Sequence, residues 1–61
     1  LKPGVRVRVL RAPSQGAVGL VRELPAKAVD FPSGILARSA SVELEGLGTR
    51  MVPLANLEVL Q

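Results

Sequence analysis

Cysteine and histidine are both absent from the 61 residues. Without thiols there is neither a disulfide nor a thiolate metal site, and without imidazole the commonest general base is missing too. Tryptophan and tyrosine are also absent, which leaves Phe31 as the only aromatic side chain. A surface that stacks bases or sugars on rings is therefore nearly excluded. Apolar runs are only a few residues long, far short of the roughly 20 residues of a spanning helix and of a signal-peptide core. The chain reads as soluble, with no membrane partner and the cytoplasm as its expected location.

What is present is globular in composition, with 48% hydrophobic and 21% charged residues. A chain of this size buries only about 60% of the surface that its unfolded form exposes, so it makes one domain of thin stability. Its core must be aliphatic. The whole chain, residues 1–61, is taken as that domain. Because it opens at Leu1 and not at a methionine, it is expected to be a domain excised from a longer protein. Six arginines and two lysines stand against five carboxylates for a net charge of +3. That bias favours an anionic partner by long-range attraction and serves solubility equally.

Pro3-Gly4 signals a turn, and the alternation from Val5 to Leu10 is that of a strand with one buried face. "APSQG", Ala12 to Gly16, has loop composition and implies a hairpin. Ala17 to Leu24 forms the second strand, interrupted by Gly19, where a missing side chain lets the strand bend or another backbone come close. Pro25 to Gly34 carries two prolines and ends in Ser-Gly, which predicts a long connection between strands. Ala40, Val42 and Leu44 alternate with Ser41, Glu43 and Glu45 as a third strand, and Gly46 to Gly48 turns it back into a fourth over Thr49 to Val52. Pro53 ends that strand, "LAN" is long enough for one tight helical turn, and Leu57 to Leu60 supplies a fifth. Closure removes the edges that so small a sheet could not otherwise protect. The expected fold is all-β, a small five-stranded, mostly antiparallel barrel with Val5, Val7, Val9, Val21, Val42, Leu44, Val52, Leu57 and Val59 inside.

"PGVRVRVLRAPSQGAVGLV", residues 3–21, resembles the KOW motif of ribosomal proteins and transcription elongation factors: a Gly-led alternating strand, a loop, then Gly-x-x-Gly-x-Val. The matching positions are Gly4, Val5, Val7, Val9, Gly16, Gly19 and Val21. "VELEGLGTRMVPLANLEVL" is similar to the way SH3-like barrels close. The resemblance implies a KOW-type SH3-like barrel that binds RNA, DNA or protein in larger assemblies of transcription or translation. Many members that touch RNA carry lysine or arginine around the paired glycines. Here Ala17 and Val18 stand between them, Ser14-Gln15 ahead of them, and Ala12 where a glycine is common.

Several residues are candidates for function. Arg6 and Arg8 share one face of the first strand, Arg11 follows at the loop, and Lys2 and Arg22 add charge, so together they could hold a phosphate backbone. The same row is also what a solvated strand face needs, with Glu43, Glu45 or Glu58 as cross-strand partners. Gly4, Gly16 and Gly19 are assigned to turn and bend geometry. Gly16 and Gly19 have neither the lysine nor the strand-to-helix setting of a phosphate loop. Leu20 is expected to point outward if Val21 faces the core, either as an ordinary exposed leucine or as part of a binding patch with Val18 or Phe31.

Glu43 and Glu45 lie two residues apart on one strand face, and with Asp30 they could work as a pair or hold a hard cation, although the spacing is also that of any exposed strand face. With no histidine, cysteine or tyrosine beside them, they give no enzyme, no metal site and no cofactor. The chain is therefore read as a non-catalytic module that binds a protein or neighbouring domains of its own chain, within a larger protein or nucleoprotein assembly. The alternatives are direct RNA or DNA backbone binding through the basic strand face and a purely structural spacer.

Overall fold

The structure, a computed structural model, describes residues 1–60, half of them in strands and none in an α-helix. Seven strands occur among the described residues: β1 (Arg6–Val9), β2 (Val18–Glu23), β3 (Val29–Asp30), β4 (Leu36–Ala37), β5 (Ser39–Leu44), β6 (Gly48–Pro53) and β7 (Leu57–Leu60). A single 3-10 turn, Leu54–Asn56, joins β6 to β7. Five strands form one antiparallel sheet in the order β6-β5-β2-β1-β7, and β3 with β4 makes a separate two-stranded hairpin. Among the described residues no helix is long and apolar enough to cross a membrane.

Alternation drives the first ladder. Val7 and Val9 are buried while Arg6 and Arg8 face solvent, and β2 runs back with Val7 opposite Gly19. Backbone bonds extend the pairing beyond both strand ends, from Val21 N–H to the Val5 carbonyl (2.9 Å) and from Val9 N–H to the Ala17 carbonyl (2.8 Å). Gly16, at φ +87°, turns the loop back into β2 and donates to the Val9 carbonyl at 2.8 Å.

The bend expected at Gly19 lies three residues later. Val21 pairs with Val42 but Glu23 pairs with Ser41, so β2 carries an extra residue at Arg22. A bulge of this kind flips the alternation. Arg22 and Glu23 are both exposed, and Leu24 returns to pack against the core. What Gly19 provides is close approach: a Cβ placed there would collide with the Glu43 carbonyl and lie 2.9 Å from the Leu44 Cα.

Val7, Val9, Val21, Ala40, Val42, Leu44 and Val52 form the buried core, with Val5, Ala17, Leu24, Leu54 and Leu57 packed against it. Among the described residues no helix and no second large sheet packs on this apolar face, and the five-stranded sheet encloses it by curling around it. The curl is incomplete. β6 and β7 remain the two edges of the sheet, bridged by the 3-10 turn and not by a ladder. One core expectation fails for that reason. Val59 pairs with Val7 and shares its face, yet it is 51% exposed, because β7 is an edge strand with nothing against its outer flank. Ser41, which alternates with the core positions of β5, is buried as well, with the long side chains of its ladder partners Glu23 and Met51 on either side.

The segment read as one long connection, Pro25 to Gly34, contains β3. Phe31-Pro32-Ser33-Gly34 then makes a tight turn in which Gly34 N–H donates to the Phe31 carbonyl (2.8 Å) and Phe31 N–H to the Ile35 carbonyl (2.9 Å). Proline at the second position and glycine at the fourth suit such a turn. Its apolar flanks, Phe31 and Ile35, therefore stand side by side.

Candidate functional site

The arginine face is built on β1. Across it, Arg6 sits between Leu60 of β7 and Leu20 of β2, and Arg8 between Glu58 and Val18. One strand further along, Leu20 pairs with Glu43. Opposite charges therefore stand within reach of the row. Arg8 Nη1 donates to Glu58 Oε1 at 3.2 Å, and Arg22 Nε to Glu43 Oε1 at 2.7 Å. Each of these four side chains keeps about half its surface in water (48% to 53%), so the pairs contribute less than about 1 kcal/mol apiece to stability. Their larger effect is on the field: two of the arginines offered for phosphate already face a carboxylate.

Arg6 and Arg22 line a shallow depression of about 360 Å³ that also holds Glu43 and Glu45, so its charge is mixed. Arg11 does not join them. It turns toward the 3-10 segment, where Nη1 donates to the Ala55 carbonyl at 3.4 Å. Lys2 is exposed in the turn before β1, which closes through Val5 N–H to the Lys2 carbonyl and uses Gly4 at φ +91°. The five cations are thus split among the depression, the β1–β7 pair and the loop. Leu20 is half-buried and not a free apolar knob, flanked by Arg6 and Glu43 across the ladder. It makes no patch with Phe31, which lines a different concavity. Among the described residues, no cluster of three acidic side chains could hold a metal ion.

The second concavity is apolar and measures about 420 Å³, inside the range of about 300–1,000 Å³ typical of ligand clefts. Three chain segments make it: the β1–β2 loop through Pro13, the β3–β4 turn through Phe31 and Ile35, and β6 with its exit through Met51, Pro53 and Asn56. Ile35 and Met51 remain 58% and 40% exposed at its rim. The hollow thus brings an apolar lining and two exposed apolar side chains together on one side of the molecule. Asn56 Oδ1 is buried with no hydrogen-bond donor. Arg50 is the one charged residue in the lining, and no carboxylate accompanies it.

Sequence reasoning missed this site because its walls lie far apart along the chain. The available signal was the pair of apolar flanks around Phe31-Pro32-Ser33-Gly34, a turn signature that would have placed Phe31 beside Ile35. No family model matches the chain, and searches of curated proteins and of solved structures returned no match.

Proposed function

We propose that the chain is a non-catalytic, protein-binding module, an SH3-like barrel of the KOW type, that works within a larger protein or nucleoprotein assembly in the cytoplasm. The observation that carries the reading is the contrast between its two concavities. One is a mixed-charge depression in which Arg22 is paired with Glu43 and Arg6 shares the lining with Glu43 and Glu45, and the other is an apolar hollow with an apolar rim. Protein partners supply apolar side chains to such hollows. Phosphate backbones are held by the net positive charge they meet, which the acids in the depression lower.

Several features support the barrel. The strand order is β6-β5-β2-β1-β7, a 3-10 turn precedes the last strand, and one core draws on both ends of the curl. The motif positions also have distinct physical roles: Gly16 takes a positive φ, Gly19 admits a neighbouring backbone and Val21 is buried.

Titration with generic RNA, single-stranded DNA and duplex DNA at two salt concentrations tests the reading. At physiological salt only weak, nonspecific attraction is expected from a net charge of +3. A micromolar affinity that falls with salt, and is lost when Arg6→Ala and Arg8→Ala are combined, would show that the basic strand face binds nucleic acid directly and overturn the reading.

A further inference from the structure

We propose that the apolar hollow receives an apolar side chain from an extended segment of a partner protein, and that this segment carries a carboxylate engaged by Arg50. The inference rests on the protein-binding reading and adds the chemistry of the partner.

Charge complementarity chooses the sign. Arg50 is exposed and its Nη1 donates only to the carbonyl of its neighbour Thr49, at 3.1 Å. Among the described residues the ion pairs are Arg8–Glu58 and Arg22–Glu43, so Arg50 has no carboxylate of its own. Arg50 lines a cavity that has no acid in its lining, and its forked guanidinium, without an ion pair, keeps donors to spare. A carboxylate arriving with a partner meets no like charge there and gains a charge-assisted hydrogen bond. A partner lysine or arginine would meet repulsion at the same place.

The position of the hollow favours an extended occupant. Arg50, Met51, Val52 and Pro53 belong to β6, an edge strand whose outer flank has no partner strand among the described residues. A segment laid along that flank can pair with the backbone and drop alternate side chains toward the cavity, the geometry of strand addition at a sheet edge. Asn56 adds a polar point. Its terminal torsion is soft, so rotation can present the orphaned carbonyl to an N–H of the occupant. Nucleic acid fits this place poorly, because a single cation and one half-buried ring, Phe31, provide neither a phosphate track nor a stacking platform.

The test is selection of random displayed heptapeptides on the 61-residue chain, with counter-selection on Met51→Glu. Met51 is exposed, so this variant should keep the parent's dispersed amide spectrum, which is recorded as a control. Enriched peptides should combine an apolar centre with an aspartate or glutamate. Their affinity should fall about tenfold or more on Arg50→Glu, as expected for a lost charge-assisted contact turned repulsive. Replacing the peptide's acid by lysine should restore part of that loss. Enriched peptides that depend on Met51 but show no acidic preference, or that ignore Arg50→Glu, would overturn the inference and leave the protein-binding reading standing. No enrichment over Met51→Glu would overturn both. Self-association of the chain abolished by Met51→Glu would instead assign the hollow to a second copy and overturn the inference.

Discussion

Gly19→Val should leave the chain unfolded at room temperature. The obstacle is backbone, not side chain: the first added carbon would already occupy the place of the Glu43 carbonyl, with the Leu44 Cα 2.9 Å away. Relief requires β2 and β5 to separate along Gly19↔Leu44, Leu20↔Glu43 and Val21↔Val42, a ladder between two inner strands of the sheet. A domain of this length has only about 3–9 kcal/mol of stability to lose. Gly16 provides the contrast. It sits at φ +87° with nothing within 4 Å of a built Cβ, so Gly16→Val costs only the strain of a positive φ, about 1–3 kcal/mol. Circular dichroism and thermal melts of both variants check the pair. Equal, small shifts would show that β5 does not press on β2 as described.

Leu44→Ala should be the costliest of the simple core truncations. Leu44 is the largest side chain among the buried residues and lies opposite Gly19, which contributes no side chain of its own to fill the space left. Leucine-to-alanine changes in packed cores cost about 2–5 kcal/mol, more where the site cannot collapse. Against the thin total this removes a large share, readable as a lowered denaturation midpoint with an unchanged slope. Val59→Ala, on the open flank of β7, should cost far less. Equal losses at the two positions would contradict the incomplete curl.

The five long strands were legible because each carries a period-two pattern or a Gly or Pro boundary. Arg6 to Val9 and Leu57 to Leu60 lie inside the limits that alternation and "LAN" suggest. The hairpin of β3 and β4 was not legible, since two-residue strands are too short to show any period. Nor was closure. Alternation tells which side of β7 faces inward but not whether another strand covers it, and Val59 was misplaced on that account. The bulge at Arg22 was hidden for a similar reason, because nothing in "GLVREL" marks where the pairing slips.

The two candidate sites differed in the same way. Glu43 and Glu58 could be named as partners for the arginines because charges on neighbouring strand faces meet wherever registers align. The hollow could not be read, since Pro13, Phe31 and Met51 come together only after the sheet has curled and the β3–β4 turn has formed.

The division of labour between the two faces is the central claim, and amide chemical-shift mapping tests it most directly. The ¹⁵N-labelled chain is titrated with a selected acidic, apolar heptapeptide and separately with generic single-stranded RNA. Saturable peptide-induced shifts concentrated at Phe31 to Ile35 and Arg50 to Asn56, with only weak, salt-quenched shifts from RNA, are the predicted result. Saturable shifts centred on Arg6, Arg8, Leu20 and Arg22 with RNA, and none around Phe31 and Met51 with peptide, would contradict it.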